Sequence, residues 1–197
     1  MKRIALLCCA ISFAACADQG REDQTEGAPG ETATPEETES DTATMGRGEG
    51  SASADLRDAE GNALGIIELR DTDEGVSLSG SLAGLSPGEH GFHIHETGLC
   101  EPPAFESAGG HFAPAGRQHG FDHPEGPHAG DLRNIEVAED GTVTVSATDS
   151  LVTLREGANA LLDDDGAALV VHAEPDDYRS QPSGAAGDRI ACGVIEG

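Results

Sequence analysis

Six of the chain's eight histidines, together with one aspartate, are spaced as metal ligands would be. His93 and His95 stand two positions apart, so their imidazoles share one face of a predicted strand, because strand side chains repeat every second residue. More ligand-type residues follow along a loop rich in glycine and proline, and one stands near the end of the chain: His111, His119, His128, Asp131 and His172. Neutral imidazole suits zinc and copper, and a carboxylate beside three imidazoles is typical of a closed zinc site. The set predicts a domain built around metal.

Short segments of alternating polarity, bounded by turn residues, must position these ligands. They predict strands over 64–69, 76–82, 91–95, 135–137, 142–147, 168–172 and 190–195. No stretch keeps a period of 3.6 residues for long enough to predict a helix. The pattern therefore predicts an all-β sandwich or barrel with two long loops, 96–130 and 173–188. Loops of that length without structure of their own are usually functional.

The start of the chain is typical of an export signal. Residues 1–3 carry positive charge, and residues 4–15 form an apolar run that is too short to span a membrane. The run ends in Phe13-Ala14-Ala15-Cys16, which resembles the lipobox of bacterial lipoproteins. We therefore expect residues 1–15 to be removed, Cys16 to be lipidated, and the protein to work in the periplasm of the cell envelope as a membrane-anchored lipoprotein. Ordinary cleavage beside Ala15 or Ala17 is the alternative, and it would release a soluble protein into the same compartment.

Residues 16–50 predict an acidic, disordered tether. They are mostly Glu, Asp, Thr, Ala, Gly, Ser and Pro, so they cannot bury enough surface to offset the entropy lost on ordering. The remaining residues, 51–197, have the length of one ordinary domain. Within that domain only Cys100 and Cys192 remain, and one cysteine pair in an exported chain predicts a structural disulfide. Two free thiols or two zinc ligands are the alternatives.

The charge of the chain excludes some classes of partner. Its net charge is −26, and the only lysine is Lys2, within the predicted signal. Such a surface repels nucleic acid and anionic lipid. We expect no nucleic-acid partner, and contact with a membrane only through the lipid anchor.

The order of the ligands and of their neighbours closely resembles the copper,zinc superoxide dismutase family. The resemblance runs from about residue 55 onward and rests on four motifs: Gly91-Phe92-His93-Ile94-His95-Glu96, Gly110-His111-Phe112, Gly126-Pro127-His128-Ala129-Gly130-Asp131-Leu132 and Gly187-Asp188-Arg189-Ile190-Ala191-Cys192-Gly193. It implies an eight-stranded Greek-key sandwich or barrel with a metal-binding loop and an active-site loop. It also allows a homodimer, because family members are either dimers or monomers.

The resemblance implies a role for each ligand. It implies one copper ion per subunit, held by His93, His95, His111 and His172, and one zinc ion, held by His111, His119, His128 and Asp131. His111 would bridge the two ions and act in catalysis. Arg189 would be a catalytic residue that guides and holds superoxide, and Asp176 would link a copper histidine to a zinc histidine.

The implied enzyme is a superoxide dismutase, an oxidoreductase with an antioxidant role. It converts two superoxide anions to dioxygen and hydrogen peroxide while copper cycles between Cu(II) and Cu(I), with the bridging histidine supported by zinc. The alternative is a non-catalytic copper- and zinc-binding envelope protein on the same fold. Such relatives typically lose a copper ligand or the guiding arginine, and this chain keeps both.

Overall fold

The computed structural model describes residues 50–197. The predicted export signal, Cys16 and all but the last residue of the predicted tether lie outside the described residues. Within residues 50–197, no helix is both long and apolar enough to cross a membrane.

Strands dominate the described part of the chain, as the alternating segments predict. They are β1 (Ser51–Asp58), β2 (Ala63–Thr72), β3 (Gly75–Ala83), β4 (Gly88–His90), β5 (Phe92–His95), β6 (Ile135–Val137), β7 (Thr142–Asp149), β8 (Ala168–His172) and β9 (Arg189–Glu196), with a short 3₁₀ helix at Glu106–Ala108. Only Gly91 separates β4 from β5, so a count that joins them gives the eight strands expected. The all-β prediction is confirmed.

Seven strands form one curled antiparallel sheet in the order β5-β8-β9-β1-β2-β3-β7, and β4 pairs separately with β6. The hairpin-connected strands β1, β2 and β3 lie in sequence, and β9 returns from the end of the chain to lie beside β1. This return places the end of the second long loop, and Arg189 with it, next to β8. The order resembles the 4-1-2-3 order of a Greek key.

Alternation along the strands builds an aliphatic core on the inner face of the sheet. In β2 the side chains of Leu64, Ile67 and Leu69 are buried, whereas Ile66 is 53% exposed on the outer face. Burying each such aliphatic side chain contributes roughly 1.5–3 kcal/mol to folding. The core therefore fixes the register of the sheet that carries the ligands.

Strand β8 is buried on both of its faces, and this explains how the first long loop is held. Leu169 and Val171 belong to the main core, whereas Val170 packs in a second cluster with Phe105 and Cys192. The first loop therefore lies against the strand that ends in His172.

The predicted disulfide between Cys100 and Cys192 is confirmed. Their Cα atoms are 5.7 Å apart, although 92 positions separate the two residues in sequence. The bond ties the start of the first long loop to β9, three residues beyond Arg189. The alternatives of free thiols or zinc ligands are excluded for this pair.

Candidate metal centre

The first group of ligands is positioned by two neighbouring strands and a loop. β5 carries His93 and His95, and its partner strand β8 ends at His172. His111 comes from the first loop and pairs with His95 through an isolated β-bridge. All four rings are buried, and one nitrogen from each lies within 4.8 Å of the others. The Nε2 atoms of His95 and His172 are only 3.4 Å apart.

The second group is arranged around the carboxylate of Asp131. Its Oδ1 atom lies 2.8 Å from Nδ1 of His111, 3.0 Å from Nδ1 of His119 and 3.3 Å from Nδ1 of His128. Its Oδ2 atom accepts hydrogen bonds from the backbone N–H groups of Gly120 and His128. These backbone donors hold the carboxylate in place, so its other oxygen faces the three imidazoles.

His111 belongs to both groups, as predicted. Its Nδ1 atom faces Asp131, and its ring centroid lies 4.0 Å from that of His93 and 5.1 Å from that of His119. The ring therefore stands between the two groups, with one nitrogen available to each.

The unpartnered nitrogen atoms show that metal ions fit both groups. Among the described residues, His93 Nδ1, His111 Nε2 and His128 Nδ1 are buried and make no hydrogen bond. Buried polar atoms are nearly always paired, because an unpaired one loses its hydration without compensation. All three atoms point into the two ligand groups, so coordination to a metal ion accounts for them.

The other ring nitrogens are fixed by the surrounding chain, and this decides which atom of each ring faces the metal. His95 donates from Nδ1 to the carbonyl of Gly109 (3.1 Å), and His172 donates from Nδ1 to the carbonyl of Gly187 (3.3 Å). In both rings Nε2 is left for coordination. Such outer contacts typically orient metal-binding histidines and set their tautomer.

When no metal is bound, burial lowers the pKa of some of these histidines, whereas neighbouring carboxylates raise the pKa of another. Burial lowers the pKa of His111 to about 4 and that of His172 to about 3, and burial also holds the pKa of His95 well below its ordinary value. Burial would lower the pKa of His119 as well, but hydrogen bonds to Asp131 and then Asp176 outweigh it and raise that pKa to about 9. These three rings of the first group are therefore neutral, which is the form that binds metal. The family resemblance assigns the first group to copper and the second to zinc, so they are called the copper group and the zinc group below.

Asp176 joins the two groups from outside. Its Oδ2 atom lies 2.9 Å from His93 Nε2 and its Oδ1 atom lies 3.0 Å from His119 Nε2, with all three side chains fully buried. Burial would raise the pKa of Asp176, but hydrogen bonds from His119 and His93 hold it well below its ordinary range. The contacts are those that the predicted linking role requires.

Arg189 lies beside the copper group. It is the cross-strand partner of His172 in the pairing of β8 with β9. Its Nη1 atom donates to the carbonyl of Phe105 and its Nη2 atom to the carbonyl of Gly109, both at 2.6 Å. Guanidinium has five N–H donors, so three remain for a bound anion. An open groove of about 640 Å³ runs past Arg189, and Glu106 and Asp188 also line it.

Sequence reasoning missed two amide side chains that hold the ligand-bearing loops. Asn134 makes hydrogen bonds with the backbone of Asp176, and Gln181 makes hydrogen bonds with the backbone of His119. No pattern in the sequence signals them, because amides in loops are common and their partners lie 42 and 62 positions away.

Comparison with known proteins gives one consistent family. The sequence model described as copper/zinc superoxide dismutase (SODC) matches residues 63–195. The chain is 51% identical over 146 residues to a protein of Aquifex aeolicus called superoxide dismutase [Cu-Zn] 2, covering 73% of this chain and 85% of that protein. It is 46% identical over 145 residues to a superoxide dismutase-like protein of Bacillus subtilis, covering 72% of this chain and 74% of that protein.

Solved structures agree with the sequence matches. A crystal structure of a SOD-like protein from Bacillus subtilis, in a double-mutant form, superposes with a TM-score of 0.72 at 46% identity, covering 74% of this chain and 97% of that one. The Cu/Zn superoxide dismutase of Brucella abortus superposes with a TM-score of 0.63 at 30% identity, covering 74% of this chain and 99% of that one.

Proposed function

The chain belongs to the copper/zinc superoxide dismutase family and is a superoxide dismutase, and we propose that it acts in the cell envelope as an exported lipoprotein whose Arg189 holds the substrate. Its reaction converts two superoxide anions to dioxygen and hydrogen peroxide.

One observation supports catalysis over simple metal storage. All four histidines of the copper group are present and converge, and the four residues of the zinc group do the same. Likeness of sequence alone does not decide between the two functions, because one close relative is itself called superoxide dismutase-like. The alternative, a non-catalytic copper- and zinc-binding envelope protein, gives no reason for an arginine to stand beside the copper group.

Copper, when bound by the first group, supplies a redox centre that exchanges single electrons, and zinc in the second group is redox-inert. His111 holds its ring between the groups through the contact of Nδ1 with Asp131. Its Nε2 atom has no hydrogen bond among the described residues, so this atom can carry a proton and give it to the peroxide product. Asp176 keeps His93 and His119 in fixed orientations.

Arg189 attracts and orients the anion over a short range. The chain has a net charge of −26, which repels superoxide at long range. Charges in salt solution act over about 8–10 Å, so a guanidinium at the cross-strand position of His172 can still bind an anion locally. Burial lowers the pKa of Arg189, but guanidinium stays charged at neutral pH.

The envelope location rests on the sequence of the first 50 residues. The apolar run before Cys16 supports export, and the residues around that cysteine support lipidation. Labelling cells with a fatty-acid analogue, followed by envelope fractionation, tests the anchor. We expect label in the parent chain and none in Cys16→Ala, whereas an unlabelled parent would exclude the lipoprotein. Sedimentation of the full chain tests for the homodimer that the family resemblance allows.

The dismutase function itself is tested by the decay of superoxide after pulse radiolysis. Protein loaded with one copper and one zinc ion per chain is expected to remove superoxide catalytically, with the decay rate proportional to its concentration. Decay no faster than that caused by metal-free protein would favour the storage alternative.

A further inference from the structure

Two amide side chains cross between the long loops in opposite directions. Gln181, in the second loop, reaches His119 in the first. Its Oε1 atom accepts from His119 N (3.0 Å), and its Nε2 atom donates to His119 O (2.9 Å). Asn134, which follows the first loop, reaches Asp176 in the second. Its Oδ1 atom accepts from Asp176 N (2.9 Å), and its Nδ2 atom donates to Asp176 O (3.1 Å).

Each amide makes a two-point contact with the backbone of a single residue. The same exchange of N–H and C=O contacts joins a hydrogen-bonded residue pair in an antiparallel sheet. The contact uses both the donor and the acceptor of the side-chain amide. A carboxylate offers acceptors only, so it can keep one contact but would set an anionic oxygen against the backbone carbonyl.

The two residues held in this way are hydrogen-bonded to each other. Asp176 Oδ1 lies 3.0 Å from His119 Nε2, and both side chains are fully buried. His119 presents its other nitrogen, Nδ1, to the zinc group, beside Asp131. The amides thus fix the backbone at both ends of the hydrogen bond that orients a zinc-group imidazole.

We propose that Gln181 and Asn134 are positioning residues that keep His119 aligned for zinc and thereby slow the loss of that ion. The proposal rests on the zinc site of the dismutase, but it concerns retention of the metal and not turnover. The loops that carry His119 and Asp176 have no strand pairing with each other in the described structure, and a backbone hydrogen bond from Asp122 N to Tyr178 O (3.2 Å) joins them three and two residues away from the pair. At His119 and Asp176 themselves, the side-chain amides supply the two-point contacts that a sheet would otherwise supply.

Charge explains why amides suit these positions. Asp131 and Asp176 already bring two carboxylates to the site, within a chain of net charge −26. A neutral side chain holds the backbone without adding a third anion near them. Gln181 also donates to the carbonyl of Arg179 (3.0 Å), so its amide group is used at three points even though the residue is exposed.

The test compares zinc release from full-length, copper- and zinc-loaded variants. Gln181→Glu and Asn134→Asp keep the shape of the side chain but replace its NH₂ group with an oxygen, so Gln181 loses two donated hydrogen bonds and Asn134 loses one. Gln181→Ala removes the amide without adding charge. Gln118→Glu is the matched control. Gln118 is exposed, stands one position before His119, and its side chain makes no hydrogen bond or ion pair within the described residues, so this change adds the same charge without breaking an amide contact between the loops. Zinc release is followed by transfer to a chromophoric chelator.

The three clamp variants are Gln181→Glu, Asn134→Asp and Gln181→Ala, and we expect each to release zinc about tenfold faster than the parent. Tenfold is the lower end of the range for groups that hold metal ligands, and we choose it because Gln181 is exposed to competing water. Gln118→Glu should stay within about twofold of the parent. With Co²⁺ in place of zinc, the visible spectrum of the clamp variants should change, because the geometry around the metal changes. Release rates equal to that of the control would overturn the proposal. An unaltered cobalt spectrum with a lower unfolding midpoint would also overturn it, since that pattern indicates a purely structural role.

Discussion

Arg189 and His95 share one hydrogen-bond acceptor, the carbonyl oxygen of Gly109. Arg189 Nη2 lies 2.6 Å from that oxygen, and His95 Nδ1 lies 3.1 Å from it. The second contact of the guanidinium is with Phe105, so Arg189 spans the 3₁₀ helix Glu106–Ala108 from one end to the other. The same backbone therefore orients a copper-group imidazole and sets the place of the substrate-binding cation.

Removal of the Arg189 charge should slow capture of superoxide without loss of metal. We expect Arg189→Ile to lower the second-order rate constant by about tenfold or more, because the chain otherwise repels the anion. Pulse radiolysis measures the rate, and elemental analysis measures bound copper and zinc. Arg179→Ile is the control, because Arg179 is an exposed arginine of the second loop that pairs with Asp122. Equal second-order rate constants in the two variants would show that Arg189 does not capture superoxide.

Gly184 should be intolerant of any side chain. Its backbone has a φ of +69°, and an added Cβ would lie 1.7 Å from Asp176 Oδ1 and 2.7 Å from His119 Nε2. We expect Gly184→Ala to break the hydrogen bond between Asp176 Oδ1 and His119 Nε2 and to lower the free energy of unfolding by about 3 kcal/mol. Gly116→Ala is the matched control. Gly116 has a φ of +63°, and a Cβ added there would have no atom within 4 Å in the described structure apart from its chain neighbours, so only the backbone cost of about 1 kcal/mol applies. Urea unfolding measures both, and equal losses would contradict the predicted clash.

Asp149 should destabilise the fold at neutral pH. It is 6% exposed, its Oδ1 atom accepts from Leu151 N, and its Oδ2 atom has no hydrogen bond among the described residues. Burial raises its pKa to about 6. A raised pKa means that the folded chain binds the proton more tightly than the unfolded chain does. Ionisation of Asp149 therefore lowers the free energy of unfolding, by about 3 kcal/mol when it is complete. This loss is absent below about pH 4 and complete above about pH 6.

We therefore expect Asp149→Asn to increase stability relative to the parent by an amount that grows with pH. The gain should be near zero at pH 4 and up to about 3 kcal/mol at pH 7, as measured by urea unfolding at both values. Asp73→Asn, at an exposed turn position, serves as the control for loss of a negative charge. A gain that is the same at both pH values would show that the buried carboxyl is not the cause.

Loss of the disulfide should affect both stability and rate. The bond closes a loop across 92 positions, so the double variant Cys100→Ser, Cys192→Ser is expected to lose roughly 4 kcal/mol of unfolding free energy. The loop that holds Arg189 through Phe105 and Gly109 also loses its tie to β9, so the dismutation rate should fall in protein that is still folded. A reductant should bring the parent to the level of the variant and leave the variant unchanged. Full activity of the folded variant would contradict this link.

The sequence predicts most of the fold because apolar and polar side chains alternate within strands, as at Val76 and Leu78 in β3 and at Val143 and Val145 in β7. It does not predict β1, whose buried face consists of Ala52, Ala54 and Leu56. Two of those three side chains are small, so the segment lacks the alternation of large apolar and polar residues that indicates a strand. Its place in the sheet comes from pairing with β2 and β9, which local sequence does not express.

The ligands of both metal groups are predictable because their residue types and order are specific. The link through Asp176 is predictable in the same way, whereas the supporting contacts that are made to backbone atoms are not. The shared acceptor at Gly109 is a backbone atom, and Asn134 and Gln181 act on backbone atoms as well. Any residue type offers those atoms, so no sequence motif indicates the contact before the loops are folded.

The most direct test of the account compares superoxide dismutation by the copper- and zinc-loaded parent with that by His172→Ala. His172 belongs to the copper group alone, and its Nε2 atom lies 3.4 Å from that of His95. The parent should remove superoxide catalytically, and the variant should be slower by roughly a hundredfold while it keeps its zinc. Equally low rates for the two proteins would contradict the account and leave only metal binding.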